Sequence, residues 1–233
     1  PHESQFMSFE LIIRKLFVKN VDLVIGHAKT VLTMLNEQNI YPNKYILAIH
    51  GHYEDVYNKK NIKISRTTLG FKRKDIVVFL KSSGKNYESA FNFITDSLLF
   101  DLKNIKLLVV GEKTVEHPNV KHVLGFVDDI DLSQYLSISN FVCIPYNQIT
   151  TSGLYFLALT FNKPVIAKRI PFFEAHTKEG TSLLYENMRD LKVIFNLLQQ
   201  NNFELDKEAI NQLKQEYCWK SAAKIISLNF SSI

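Results

Sequence analysis

Short apolar runs alternate with amphipathic segments along most of this 233-residue chain. In its first part, the spacing predicts a helix over 8–19, a short buried strand over 22–26, a helix over 28–37 and a strand over 45–49. The polar stretch over 50–64 breaks this pattern. We therefore predict that it is a linker between two domains.

The alternation becomes more regular after residue 65. Residues 76–80 are all apolar, as expected of a strand that is covered on both faces. In the helix that follows, Tyr87, Phe91, Ile94 and Leu98 are predicted to form one apolar stripe. The remaining pattern predicts strands over 105–110, 121–124, 140–144 and 164–167, helices over 131–137 and 152–161, and a helical end over 187–229 with breaks near Asn201 and Tyr217.

Strands and helices that alternate at this spacing are typical of βαβ units. We predict an α/β fold with a doubly wound, Rossmann-like parallel sheet, preceded by part of a second Rossmann-like domain. In such sheets, ligands bind beyond the carboxyl ends of the strands. The residues that follow each predicted strand are therefore the candidates for a functional site.

The most informative of these segments follows the strand predicted over 140–144. A polar loop leads to Thr151, Ser152 and Gly153, which open an apolar helix. Hydroxyl side chains cap helix N-termini, and glycine allows a ligand to approach the backbone closely. An ordinary capped helix would show the same residues, but the position beyond a strand favours a phosphate site on the helix N-terminus.

Three other segments follow strands and carry candidate residues. Lys85 follows a small-residue loop and is suited to bind a diphosphate, although a solvated loop lysine is the alternative. The turn with Phe126 and Val127 is suited to hold a base, or it only leads into a helix. For Glu174 and His176 the spacing favours a surface helix, and the alternative is that both side chains face one crevice.

The composition excludes several classes of function. The net charge is +5 and the pI is about 9.0, but basic residues occur only in short runs such as 72–74, which argues against a nucleic-acid binder. Cys143 and Cys218 form neither a disulfide framework nor a zinc spacing, which is typical of a cytoplasmic protein. No apolar run approaches the ~18 residues of a membrane span. A Gly-Lys-Ser/Thr phosphate loop is also absent, which disfavours a P-loop nucleotidase.

Taken in order, several motifs resemble the donor half of the GT-B glycosyltransferases, particularly family 4 and its relatives in bacterial surface-polysaccharide synthesis. The resemblance covers nearly the whole chain. It is carried by Ala48-Ile49-His50-Gly51-His52-Tyr53, Ser65-Arg66 with Leu69-Gly70, Phe79-Leu80 with Lys85-Asn86, Leu108-Val109-Val110-Gly111, Gly125-Phe126-Val127, Ile144-Pro145-Tyr146, Thr151-Ser152-Gly153, Lys163-Pro164-Val165-Ile166-Ala167 and Tyr217-Cys218-Trp219.

The resemblance implies a role for most of the candidate residues. Lys85 would contact the diphosphate of a UDP- or GDP-linked sugar, and the backbone of Thr151, Ser152 and Gly153 would bind phosphate. Phe126 and Val127 would lie near the base. The nucleotide sugar is then a co-substrate, no cofactor or metal is expected, and the acceptor would be a glycan or a lipid-linked sugar. We expect a cytoplasmic enzyme, with peripheral association at the inner face of the membrane left open.

The sequence departs from the family pattern in two places. Many members carry two glutamates separated by seven residues near this helix, but residues 150–158 contain no carboxylate. A second basic residue expected before Lys85 is also missing, unless Lys81 takes its place. Glu174 is our predicted substitute for the sugar contact, so that Lys85 and Glu174 are the predicted catalytic residues.

The resemblance also implies how the chain is divided. We predict that residues 1–64 are the end of an acceptor-side domain with its linker, residues 65–205 the nucleotide-sugar-binding domain, and residues 206–233 helices that pack back on the first domain. The start of the chain resembles a point late in that first domain. Two other hypotheses stay open: a non-catalytic subunit that stabilises an active partner, and a nucleotide-sugar epimerase.

Overall fold

The chain forms two compact units in a computed structural model, which describes residues 2–54, 56–57, 64–84 and 87–230 (only the backbone for 2–8). The first unit consists of Pro1–Gly51 and Glu216–Ile233, and the second of His52–Gln215. The boundaries predicted from the sequence were 64/65 and 205/206. In the structure, the polar segment after Gly51 and helix residues up to Gln215 belong to the second unit.

The first unit is built on two short parallel strands. Val24 pairs with Tyr45, and Gly26 with Leu47. Its elements are α1 (His2–Lys19), β1 (Val24–Gly26), α2 (Thr30–Glu37), β2 (Tyr45–Leu47) and a helix near the end of the chain, Trp219–Phe230.

The second unit is a six-stranded sheet with helices along its faces. Its elements are β3 (Ile76–Ser82), α3 (Tyr87–Ser97), β4 (Ile105–Gly111), β5 (Val120–Leu124), α4 (Asp129–Ile138), β6 (Phe141–Ile144), α5 (Gly153–Thr160), β7 (Val165–Lys168), α6 (Pro171–His176), β8 (Ser182–Tyr185), α7 (Met188–Gln199) and α8 (Lys207–Glu216); the helix Trp219–Phe230 is α9.

The six strands are all parallel and lie in the order β5-β4-β3-β6-β7-β8. The chain builds the sheet outwards from β3 in one direction, then returns to the centre and continues from β6 in the other. The α/β, Rossmann-like prediction is therefore confirmed. The reversal between β3 and β6 is the topological switch point at which doubly wound sheets open a crevice for ligands.

Apolar side chains from α3 and α7 cover one face of this sheet. Val78 and Leu80 of β3 pack there with Phe93 of α3 and Phe195 of α7, and all four are at most 4% exposed. The buried residues of α4 and α5 are not part of this cluster. Since side chains alternate along a strand, the residues between Val78 and Leu80 face the opposite side of the sheet.

The predicted stripe on α3 was only partly correct. The buried residues of this helix are Ala90, Phe93, Ile94 and Ser97, whereas Tyr87 is exposed. The two sets share only Ile94, because the helix is rotated towards its small residues, which let it lie close to the sheet. Strand β8 was also missed, since it has only four residues, begins with a serine and is half-buried at all positions except Tyr185.

The first unit includes α9 through close packing at Gly51. A side chain at Gly51 would lie 2.6 Å from the Trp219 ring, and the His50 ring centroid is 4.6 Å from that of Trp219. Tyr217, just before α9, is 1% exposed. Among the described residues, no helix combines the length and the apolar character needed to cross a membrane.

Candidate functional site

The start of α5 is built by a capping serine beyond the end of β6. The loop after Ile144 leads to Ser152, whose extended backbone lets its Oγ accept the Tyr155 N–H at 3.2 Å. Ser152 is 4% exposed, whereas its neighbours Thr151 and Gly153 are exposed. The serine therefore caps and stabilises the first turn of α5, and the exposed residues on either side of it leave the N-terminus of the helix, the entrance of α5, accessible to a ligand.

Two backbone N–H groups at this entrance have no partner. Gly153 and Leu154 are the first residues of α5, and their N–H groups find no acceptor in the described part of the chain. A helix N-terminus also carries a partial positive charge, so that unpaired N–H groups there bind anions. The structure brings this helix start to the switch point, where β6 lies beside β3.

Tyr53 extends along α5 towards the same entrance. Its backbone N–H donates to Thr160 Oγ1 at the end of the helix, at 2.8 Å. Its Oη lies 3.2 Å from the position that a side-chain carbon at Gly153 would occupy. Burial raises the pKa of the Tyr53 hydroxyl, which is therefore neutral and able to donate at physiological pH. Sequence analysis missed this residue because it lies 100 positions before Gly153.

The end of β3 lies across the switch point from α5. Ser82 is fully buried, and its Oγ has no hydrogen-bond partner among the residues that the structure describes. Lys81 is exposed and, by alternation along the strand, lies on the face opposite α3 and α7. Gly84 follows with φ +68°, a conformation that favours glycine. The predicted Lys85 lies outside the described residues.

A glycine at the end of β4 keeps the neighbouring strand end close to β3. Gly111 has φ +145°, and a side-chain carbon there would overlap the Ser82 carbonyl group. The same carbonyl accepts the Glu112 N–H at 3.0 Å. Two residues further, Lys113 Nζ lies 4.8 Å from the centre of the Tyr87 ring at the start of α3. Lys113 is a cation at this edge that sequence analysis missed, although it follows the predicted strand by only three residues.

The predicted base contact lies at the end of β5. Gly125 turns the chain with φ +87°, and Phe126 is 94% exposed, while Val127 is half-buried. Strand β5 is three positions from β6 in the sheet, a distance of roughly 14 Å. A ligand that touched both Phe126 and Gly153 would therefore have to extend along the edge of the sheet.

Glu174 lies beyond β7 in the short helix α6 and is paired with a residue that sequence analysis missed. Arg169 Nη1 is 3.7 Å from Glu174 Oε1, and Arg169 Nε is 3.2 Å from Glu186 Oε1. All three side chains are partly exposed. The alternative that His176 faces the same crevice was wrong. His176 is fully buried, with Nδ1 2.7 Å from the Phe172 carbonyl oxygen and its ring stacked on that of Phe172.

A polar pocket of about 250 Å³ opens beside the switch point, between α3 and α7. Asn147 connects two other lining residues of this pocket. Its Oδ1 accepts from Lys168 Nζ at 2.7 Å, and its Nδ2 lies 3.5 Å from Ser89 Oγ. Asp96 and Glu186 also line it. Within the described residues, no group of three or more His, Cys, Asp or Glu side chains is placed to hold a metal ion.

Several solved structures resemble this chain over most of its length. HepE of Anabaena, in complex with UDP and glucose, matches with a TM-score of 0.81 at 16% identity, over 99% of this chain and 69% of HepE. Sucrose-phosphate synthase from Thermosynechococcus elongatus matches with a TM-score of 0.78 at 16% identity, over 97% of this chain and 61% of that chain. WaaG, a glycosyltransferase involved in lipopolysaccharide biosynthesis, gives 0.63 at 14% identity, over 86% and 62%.

These matches define the fold of the chain. It is an α/β protein with a parallel, doubly wound sheet, and its fold is that of the GT-B glycosyltransferases. The chain spans 61% of the length of the synthase and 69% of HepE. No protein-family model matches the chain, and no curated protein matches its sequence.

Proposed function

We propose that this chain binds the donor for a glycosyltransferase, which transfers a sugar from a nucleotide sugar to a glycan or lipid-linked acceptor in surface-polysaccharide synthesis. The observation that carries the proposal is the pair of unpaired N–H groups at Gly153 and Leu154, at the switch point of the sheet. The structures of HepE with UDP and with UDP-glucose support it, because they show that a protein of this fold holds such a donor.

In this proposal, the diphosphate binds at the start of α5. The N–H groups of Gly153 and Leu154 and the Tyr53 hydroxyl donate to phosphate oxygens, and Lys81 and Lys85 supply positive charge. These groups stabilise the negative charge that develops on the leaving nucleoside diphosphate. A metal ion is then not required for this step. Val127 and the exposed Phe126 contact the base, and Glu174, oriented by Arg169, contacts the sugar.

We place the reaction on the cytoplasmic side of a membrane, with peripheral contact where the acceptor is lipid-linked. Hexosyl transfer is the expected reaction. A non-catalytic subunit of the same fold is the second candidate function. It is favoured by the lack of any carboxylate over residues 150–158 and by the ion pair that already engages Glu174.

Calorimetry with UDP, GDP and their glucose conjugates tests the proposal. We expect one of these nucleotides to bind. Thr151→Glu should lower its affinity at least about tenfold, because a carboxylate at the N-terminus of α5 repels the diphosphate. The same charge at a helix N-terminus favours the helix, so the thermal stability should not fall. Lys85→Ala should also weaken binding.

Thr33→Glu provides the matched control. Thr33 is an exposed threonine in α2 of the first unit, so the variant adds the same charge to that unit and not to the start of α5. Its affinity for the nucleotide should equal that of the unchanged protein. If no nucleotide binds, the non-catalytic subunit is favoured. If product forms without an acceptor, the epimerase hypothesis is correct instead.

A further inference from the structure

A second concave surface lies at the opposite edge of the six-stranded sheet, where β3, β4 and β5 begin. It is a hollow of about 680 Å³, which lies within the range of about 300–1,000 Å³ that small-molecule pockets occupy. It is far from the start of α5, which lies beyond the carboxyl ends of the strands. Three separate chain segments supply five lysines to its lining: Lys72, Lys74, Lys103, Lys106 and Lys121.

Four of these lysines have no partner. Lys72, Lys74, Lys103 and Lys121 are exposed, and within the described residues their ammonium groups make no ion pair or hydrogen bond. Lys106 differs, because its Nζ donates to the Pro118 carbonyl at 3.2 Å and to Asn119 Oδ1. Like charges held around a hollow repel one another and focus a positive potential into it, which a bound anion would relieve.

The one carboxylate in the described lining does not neutralise this charge. Asp75 is 4% exposed, and its Oδ2 accepts the Lys72 backbone N–H at 2.7 Å. The guanidinium of Arg66 also lies close enough to Asp75 to interact with its charge. The carboxylate is therefore engaged by groups of the protein, while the other four lysines of the lining, all except Lys106, are exposed to solvent.

The kind of cation indicates the kind of anion. The described lining contains five lysines and no arginine. Arginine presents a planar fork that fits carboxylate and phosphate alike in two-point contact, whereas lysine is a compact point charge with several rotatable donors. Several lysines around one hollow therefore suit a compact anion with more than one charge, such as a phosphate. We propose that this hollow is a second anion site, which binds a phosphate-bearing group with two or more negative charges, either free in solution or carried by a lipid.

This proposal does not depend on the donor site, and its failure would leave the function proposed above unchanged. The alternative is that the lysines have a purely structural role, because α3 and α7 end at this edge and a lysine is stabilising near the negative end of a helix. In that case the lysines would stabilise the fold without binding any ligand. The experiment has to separate these two roles.

Lysine acetylation with a mass-spectrometric readout resolves the site residue by residue. We expect inorganic pyrophosphate to slow the acetylation of Lys72, Lys103 and Lys121 at least about threefold, while Lys192, Lys207 and Lys224 stay unaffected. These three control lysines are also exposed and unpaired. In parallel, co-sedimentation with phosphatidylglycerol vesicles, compared with phosphatidylcholine vesicles, tests the lipid-borne source.

A triple variant then tests the affinity. Lys72→Gln, Lys103→Gln and Lys121→Gln together should weaken pyrophosphate or vesicle binding at least about tenfold, and Lys192→Gln, Lys207→Gln and Lys224→Gln together less than twofold. Protection by pyrophosphate alone would identify a soluble ligand, and lysine-dependent binding to anionic vesicles a lipid headgroup. The proposal is overturned if neither probe protects the hollow, if both sets of lysines respond equally, or if the first triple variant changes only the melting temperature.

Discussion

The two anion sites proposed at opposite edges of the six-stranded sheet are built by different means. At the carboxyl-end edge, the donors are backbone N–H groups, at Gly153 and Leu154, in a helix start that is capped from below by Ser152. At the amino-end edge, the positive charge comes from lysine side chains of three chain segments. The parallel arrangement explains the difference, because helices that return between parallel strands direct their N-termini to the carboxyl-end edge.

This contrast shows why net charge is a poor guide to the donor site. The five lysines of the hollow lie at the edge where helices end, whereas the proposed donor contacts at the switch point include backbone N–H groups that carry no formal charge. A binding site built from the backbone is rigid and neutral, and it depends on close packing of strand ends. A site built from lysine side chains attracts anions over a longer distance, and its affinity is sensitive to salt. Each of the following predictions tests one side of this contrast.

The largest expected effect is a loss of folding stability at the carboxyl-end edge, where the ends of two neighbouring strands pack closely. Gly111→Ala should lower the free energy of unfolding by roughly 3–5 kcal/mol, because the new methyl group overlaps the Ser82 carbonyl and φ is unfavourable for alanine. Gly125→Ala is the matched control. It also has positive φ but nothing within 4 Å, so it should cost about 1–2 kcal/mol. Urea unfolding measures both, and equal losses would show that the close approach at Gly111 does not matter.

An intermediate effect is expected from salt. As the ionic strength rises from about 0.1 M to about 1 M, the Debye length falls from about 10 Å to about 3 Å. Pyrophosphate affinity at the lysine hollow should fall at least about tenfold over this range, and nucleotide affinity at α5 only about threefold, because short hydrogen bonds are less screened than separated charges. Acetylation footprinting and calorimetry measure the two. Equal slopes would mean that both edges bind by long-range charge.

The smallest effect concerns a titratable side chain near the carboxyl-end edge. Tyr57 Oη donates to Asp129 Oδ1 at 2.9 Å, and burial, followed by this bond and the negative charge of Asp129, raises the pKa of Tyr57 from 10.0 to about 12. Because the folded protein holds the proton more tightly, the stabilisation is complete below pH 10 and is lost as the pH rises from 10.0 to about 12.

Urea unfolding at a series of alkaline pH values measures this loss. In Tyr57→Phe, the unfolding free energy should depend less on pH over that window, and the difference in tyrosinate absorbance between the two proteins should titrate well above 10.0. A difference spectrum centred near 10.0 would contradict the predicted hydrogen bond to Asp129. Nucleotide binding near neutral pH should be unaffected by the substitution.

The sequence allowed most of the second unit to be predicted. The strands predicted over 76–80 and 140–144 matched β3 and β6, because strands that are covered on both faces consist mainly of consecutive apolar residues. The start of α5 was also predicted, since capping by Ser152 and the small size of Gly153 are local requirements. The roles of Lys81, Lys85, Phe126, Val127 and Glu174 in binding remain predictions.

The hydrophobic pattern of the sequence was not sufficient to predict which side of a helix packs against its neighbours. His176 and Glu174 are two residues apart in a short helix, and nothing in their spacing indicates that one is buried against Phe172 while the other pairs with Arg169. The rotation of α3 onto Ala90 and Ser97 is a similar case. Both follow from packing against neighbouring elements, which local periodicity does not specify.

Apolar runs, caps and glycines along the chain were therefore enough to indicate an α/β protein with a phosphate-binding helix start, because these features act within a few residues. Only the tertiary structure decided that β6 lies beside β3, that Tyr53 extends along α5 and that Lys72, Lys103 and Lys121 surround one hollow. Residues so far apart become neighbours when strands pair and helices cover the sheet. Which strands pair and which helices cover them depends on the total apolar surface that the whole fold buries, and no single segment of the sequence determines that total.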